Sequence, residues 1–150
     1  MPETYLQPIS SHDLSALLAM MKEYYAFDGL KFQKNSAKDA MEKLLGDRNL
    51  GASWFIKNGE QIIGYLVITY GFSLEFHGRY AFVDEFYIRE QYRGLGAGKE
   101  ALRLMEIEAK AFGVKSLHLE VDFKNRHAQE FYRRFGYSDH HRFLMTKNLI

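Results

Sequence analysis

The sequence has no cysteine and only two prolines in 150 residues. Lack of cysteine removes disulfides, thiolate metal sites and a cysteine nucleophile together, and it leaves the redox compartment open. Neither charge sign dominates: 20 Lys plus Arg stand against 19 Asp plus Glu, a formal charge of +1. That balance disfavours a nucleic-acid binder working by bulk charge. No run of about 18 apolar residues occurs, and residues 1–9 lack the basic cluster and apolar stretch of a secretory signal. The chain therefore reads as cytoplasmic, with no membrane partner. Repeats, low-complexity tracts and linkers are also missing.

What is present is an aromatic excess of 12 Phe, 10 Tyr and one Trp within a composition that is 47% hydrophobic and 26% charged. These proportions are globular, and a chain of this length buries roughly 68–70% of its unfolded surface around one core. A single domain over residues 1–150 is predicted. Most rings must then pack inside, leaving only a few to line a site.

Residues 4–9 form a plausible first strand. Ser10 or Ser11 then caps a helix whose Leu14, Leu17, Leu18, Met21 and Tyr25 keep helical spacing up to Gly29. A second helix spans about 36–45, with Ala37, Ala40, Met41 and Leu44 on one face. Asn58-Gly59, flanked by residues 54–57 and 61–70, signals a hairpin with a type I′ turn. The run Ile62-Ile63-Gly64-Tyr65-Leu66-Val67-Ile68 is apolar on both faces, as in a central strand. A strand over 79–88 leads to a glycine cluster and a helix over about 97–112, with Ala101, Leu102, Met105, Ala109 and Phe112 facing inward. Residues 115–122 alternate as a strand, Ala128, Phe131, Tyr132 and Phe135 make a short helix ended by Gly136, and residues 143–149 read as a last strand. The order describes one mixed α/β unit.

The most informative stretch is Arg93-Gly94-Leu95-Gly96-Ala97-Gly98-Lys99, between a strand end and a helix start. Free N–H groups and the helix dipole suit a phosphate or pyrophosphate there, and glycine lets the anion approach the backbone. A P-loop is ruled out, because the position five residues before Gly98-Lys99 is Arg93 and the following residue is Glu100. A dinucleotide fingerprint would need glycine where Lys99 stands. A kinase is excluded by length and by the missing catalytic-loop pattern.

Arg93-x-x-Gly96-x-Gly98 resembles the signature of the GNAT superfamily of acyl-CoA-dependent N-acetyltransferases, Gln/Arg-x-x-Gly-x-Gly/Ala. Phe86-Tyr87-Ile88 sits where that family has its apolar strand, and Asn125-x-x-Ala128-x-x-Phe131-Tyr132-x-x-x-Gly136-Tyr137 is similar to its downstream segment. Glu90 stands where many members have Pro. Val83-Asp84-Glu85 looks similar to the acidic pair of diamine and polyamine acetyltransferases, with the two acids exchanged. The resemblance implies a mixed sheet of about six to seven strands flanked by about four helices. It also implies acetyl-CoA as cosubstrate, an amine acceptor that is a small molecule or a peptide, no metal, and a possible homodimer.

The implied chemistry sets requirements. An alkyl ammonium, with a pKa of about 10.4, is almost wholly protonated at pH 7, so a base must take its proton. Asp84 and Glu85 are the candidates. Position relative to Arg93 places the polyamine-type base on Asp84, which we favour, and the commoner small-molecule acid on Glu85; a solvated or ion-paired strand carboxylate is the alternative for each. His118 and Glu120 stand in reserve. By the same resemblance the Ile88 amide faces the developing oxyanion, the N–H groups of Gly94 to Lys99 hold the pyrophosphate with help from Arg93, Asn125 caps its helix or bonds the pantetheine arm, and Tyr132 protonates the CoA thiolate or simply packs. Tyr24, Tyr25, Phe27, Phe32, Phe72, Phe76 and Phe143 are candidates for the substrate wall. His140-His141 fits no metal motif. The rivals are a CoA-binding regulatory module that has lost catalysis and a phosphate-binding module for nucleotides.

Overall fold

In the computed structural model, which describes residues 3–150, the apolar run at 62–68 becomes the middle of a five-stranded sheet. The elements in chain order are β1 (Thr4–Pro8), α1 (Leu14–Phe27), α2 (Lys34–Gly46), β2 (Gly51–Asn58), β3 (Gln61–Ser73), β4 (Gly78–Ile88), α3 (Ala97–Ala111), β5 (Ser116–His118) and α4 (Arg126–Arg134). The strands lie in the order β1-β2-β3-β4-β5. The first three pairings are antiparallel and β4 with β5 is parallel. A parallel neighbour requires a crossover, which α3 supplies. This is a mixed α/β fold, with five strands and four α-helices among the described residues. The chain divides into two compact units, one up to Leu119 and one over Glu120–Ile150.

In the first unit, Leu14, Leu17, Leu18, Met20 and Met21 of α1 and Met41 of α2 bury against Phe55, Tyr65, Val67 and Tyr87. These four strand residues share one sheet face by the pairings Phe55↔Tyr65 and Tyr65↔Tyr87. The opposite face carries Leu66 and Ile68, both fully buried. The buried stripe of α3, Ala97, Ala101, Leu102, Met105 and Ala109, is the apolar surface left to cover it.

A β-bulge in β4 controls which side chains join which face. Val67 pairs with Glu85 but Ile68 pairs with Val83, so Asp84 is the inserted residue. Strict alternation would put Val83, Glu85 and Tyr87 on one face. The bulge turns Val83 to the opposite side, with Leu66 and Ile68, while Glu85 keeps the side of Tyr65 and Tyr87, under α1.

Three expectations need correction. The sheet has five strands rather than six to seven: residues 143–149 form no strand, and Phe143, Leu144, Met145 and Leu149 are exposed. Alternation supplies a face, but a strand also needs a ladder partner. The strand expected over 115–122 shrinks to Ser116–His118 for the same reason, since only these residues pair with Tyr80–Phe82. The hairpin exists, but Asn58 pairs with Gln61, so the two-residue loop is Gly59-Glu60. A type I′ turn needs positive φ at both loop residues, and only Gly59 has it, at 61°.

In the second unit, Asn125 Oδ1 accepts the Ala128 N–H at 3.1 Å and caps α4, as expected for an N-cap Asn. Gln129 Nε2 donates to the carbonyls of Asp122 and Phe123 and ties the preceding turn to the helix. The Tyr137 N–H returns to the Tyr132 carbonyl at 3.0 Å across Gly136, whose φ of 103° ends the helix.

Candidate active site

The glycine cluster folds as a cradle at the start of α3. Gly94 and Gly96 adopt φ of 77° and 87°, a region that penalises any residue with a Cβ. Gly96 is the N-cap of α3 and, as glycine, brings no capping side chain. Its first backbone bond is Glu100 N–H to the Gly96 carbonyl, so the N–H groups of Ala97, Gly98 and Lys99 lie before the helical ladder begins. A Cβ built at Gly94 or Gly96 would meet nothing within 4 Å, so the space over the turn is open. This donor set, at the positive end of a helix, fits a pyrophosphate.

Arg93 stands at the entrance. Its Nε donates to the Ile88 carbonyl at 2.7 Å, and its guanidinium lies 4.2 Å from the centroid of the Phe27 ring and 5.7 Å from that of Tyr87. The stacking joins the end of α1 to the end of β4.

The Ile88 amide is available at the β4 edge. The next residue, Arg89, donates its N–H to the Ile63 carbonyl on β3 at 2.8 Å. Successive N–H groups point to opposite edges of a strand, so that of Ile88 points away from β3, toward the β5 side. There β5 pairs with Tyr80–Phe82 alone, so among the described residues no ladder partner meets β4 beyond Phe82. On the other edge Gly64 pairs with Ile88, and a Cβ there would come within 2.0 Å of the Tyr87 carbonyl oxygen. Glycine at 64 therefore permits the close approach of β3 and β4 beside this amide.

The two acids have different surroundings. Asp84, on the bulge, is exposed as a residue, and the partial desolvation of its carboxyl pushes its pKa up. Glu85 is half-buried. Its Oε2 accepts the Tyr25 hydroxyl of α1 and its Oε1 accepts the Tyr65 hydroxyl of β3, both at 2.6 Å. Burial raises the Glu85 pKa, the two tyrosine hydrogen bonds oppose that rise, and the Asp84 charge adds to it; the net direction is upward. The rings form one packed group: Tyr24 lies edge-on to Tyr25 and Tyr65, and Tyr25 lies edge-on to Phe32. Burial and the nearby charges of Asp28, Glu85 and Asp84 push the Tyr24 hydroxyl up to about 12, so it stays neutral.

Beside this group, Glu23 of α1 accepts the Tyr87 hydroxyl at 2.9 Å and is held by Arg89 through Nε at 3.0 Å and NH2 at 3.3 Å. Desolvation alone would raise the Glu23 pKa, but the Arg89 and Tyr87 bonds outweigh it and hold the carboxyl below its usual range.

Among the sequence candidates, the fold brings Tyr24, Tyr25 and Phe32 to Glu85, whereas Phe72 is exposed and Phe76 packs on His118 at 4.7 Å. His118 shares a 3.1 Å hydrogen bond with the Ser116 hydroxyl and also packs on Tyr80. In the second unit, Tyr132 packs edge-on to Phe131 and Tyr137. Among the described residues, no group of three His, Asp or Glu is arranged to hold a metal, and no helix is long and apolar enough to cross a membrane. Sequence reasoning missed Tyr65, Glu23 and Arg89. Tyr65 sits in an uninterrupted apolar run and gave no polar signal; Glu23 lies at an exposed position of α1, and Arg89 is a half-buried residue just after β4.

An aminoalkylphosphonate N-acetyltransferase from Salmonella typhimurium (strain LT2) is 28% identical over 149 residues, covering 99% of this chain and 94% of its own. A spermine/spermidine N(1)-acetyltransferase from Bacillus subtilis (strain 168) is 38% identical over 56 residues, 37% of each chain. The crystal structure of an integron cassette protein from the mobile metagenome of Cole Harbour Salt Marsh superposes with a TM-score of 0.86 at 32% identity, covering 97% of this chain and 90% of that one. The family model described as "Acetyltransferase (GNAT) family" matches residues 17–137. The chain thus belongs to the GNAT family of acetyltransferases.

Proposed function

We propose that the protein transfers the acetyl group of acetyl-CoA directly to a primary amine, with residues 1–150 acting as one catalytic domain. The acceptor is a small diamine- or polyamine-like molecule, or a peptide or lysine amine. The observation that carries this reading is Glu85, a half-buried carboxylate held between α1 and β3, three residues before the free amide of Ile88 on the same strand. Use of acetyl-CoA is a property of the family. The names of the two relatives, an aminoalkylphosphonate and a spermine/spermidine acetyltransferase, support an amine acceptor.

In this reading Arg93 and the N–H groups of Gly94 to Lys99 hold the pyrophosphate of the cosubstrate, Phe86 to Ile88 line the thioester, and Asn125 serves the pantetheine arm. Glu85 takes one proton from the ammonium, freeing the nitrogen lone pair. A carboxyl whose pKa is raised by burial is better matched to this task near neutrality than an ordinary one. We assign the base to Glu85 over Asp84 because Glu85 is oriented by two fixed donors, whereas Asp84 is exposed on the bulge. The amine attacks the thioester carbonyl, and the Ile88 N–H stabilises the oxyanion. The C–S bond then breaks, and the second amine proton ends on the CoA thiolate, delivered through Tyr132. Glu85 returns its proton to solvent. The chemistry asks for no metal.

The test is a panel of amines, including spermidine, putrescine, 2-aminoethylphosphonate and a lysine peptide, incubated with acetyl-CoA and followed by thiol release. Turnover with at least one supports the reading. Thermal stabilisation by CoA with no turnover on any amine overturns it in favour of a CoA-binding module.

A further inference from the structure

Each oxygen of Glu85 receives one hydroxyl donor, and the two donors come from elements that meet only in the folded chain. Tyr25 stands 60 residues before Glu85 in sequence and Tyr65 stands 20 before it. Tyr65 is fully buried, and its ring is fixed by Tyr24 and Tyr87, each with centroids 6.2 Å away. Tyr25 is fixed by Tyr24 at 5.7 Å and Phe32 at 5.5 Å. Rings locked in this way leave their hydroxyls little choice of partner, so packing of the aromatic group sets where the carboxylate lies.

We propose that Tyr25 and Tyr65 are positioning residues for Glu85, which together fix the direction of its carboxylate and keep it anionic beneath α1. This inference rests on the proposed role of Glu85 and extends it to two residues that touch no reacting atom. The physical reason is that burial disfavours the anion, while hydrogen bonds donated to it favour it. The groups acting on Glu85 are Tyr25 from α1, Tyr65 from β3 and the like charge of Asp84 on its own strand, so the two hydroxyls are its stabilising partners. Both hydroxyls are themselves shifted upward by burial and by Glu85, so they remain donors over the working pH range.

The experiment titrates the Glu85 side-chain carboxyl by carbon NMR in the intact chain, and measures kcat/KM against pH, for Tyr25→Phe, Tyr65→Phe and Tyr24→Phe. Removing either donor should move the Glu85 titration to higher pH. The acid limb of kcat/KM should move with it, with a loss of about tenfold on that limb, the worth of one charge-assisted hydrogen bond. Tyr24→Phe, which alters the same ring group but removes no hydroxyl from Glu85, should leave the Glu85 titration in place. An unmoved Glu85 titration in folded Tyr25→Phe and Tyr65→Phe overturns the proposal. A titration that moves while the acid limb stays put keeps the clamp and overturns the assignment of Glu85 as base. Should Tyr65→Phe fail to fold, Tyr25→Phe on the half-buried donor decides the matter.

Discussion

Tyr65 and Glu85 are not cross-strand partners: Tyr65 pairs with Tyr87 and Glu85 with Val67, so their 2.6 Å hydrogen bond runs along the diagonal of the β3–β4 ladder. A long side chain spans that diagonal easily. The contact exists because Glu85 alternates regularly with Tyr87 and so shares the face of Tyr65, whereas the bulge at Asp84 moves Val83 to the other face.

Glu85→Gln should lower the rate near pH 7 about 10²-fold or more, with partial recovery at high pH where the amine deprotonates unaided. Asp84→Asn should cost little. Steady-state pH profiles of the two variants decide between the acids, and an intact profile in both would move the base to His118 or Glu120.

The same substitution carries a stability signature. Glu85 has a folded pKa above its unfolded value, so within the window from about 4.5 up to the folded pKa the native state binds more protons, and rising pH weakens the fold. Below that window both states are protonated and the penalty vanishes. Thermal midpoints of Glu85→Gln relative to the parent should therefore rise between pH 4 and pH 8. A difference that stays level or falls over that range contradicts the assigned direction.

Acetyl-CoA should raise the thermal midpoint, whereas NAD and ATP at equal concentration should not. At 100 times its dissociation constant it would add roughly 2.7 kcal/mol. Arg93→Gln should weaken the effect. It is a cleaner probe than Gly96→Val, because the φ of 87° at Gly96 strains any branched residue whether or not a phosphate binds.

Tyr132→Phe deletes a hydroxyl and keeps the ring that packs on Phe131 and Tyr137. Thiolates leave fairly readily unaided, so the expected loss is about 10² in turnover, with the melting temperature nearly unchanged. Turnover within about twofold of the parent, together with a lower midpoint, would make the residue a packing group.

Ser53 is buried beside a cavity of about 360 Å³ lined by Ile9, Leu44, Trp54, Tyr70 and Phe112, and its hydroxyl has no hydrogen-bond partner among the described residues. A buried hydroxyl without a partner costs roughly 1–3 kcal/mol. Ser53→Ala should leave the midpoint equal to or above that of the parent, and a clear drop would reveal a partner for the hydroxyl.

The sequence by itself determined the local features. Leu14, Leu17, Leu18 and Met21 keep helical spacing, and so do Ala101, Leu102, Met105 and Ala109; both sets are buried as read. The glycines at 94 and 96 announced a turn that only they adopt readily, and the Arg93 to Lys99 pattern pointed to the family. These signals are legible because spacing along one helix or turn is written in neighbouring residues. Only the tertiary structure decided which acid is held and by what. A bulge depends on the registry of two strands, so the inserted Asp84 breaks an alternation that the sequence of β4 shows as regular. The hydroxyls that meet on Glu85 come from a helix 60 residues away and from an apolar strand. Residues 143–149 make the complementary case: their pattern specified a face, but a strand requires hydrogen bonds from another segment, and those are set by the whole fold.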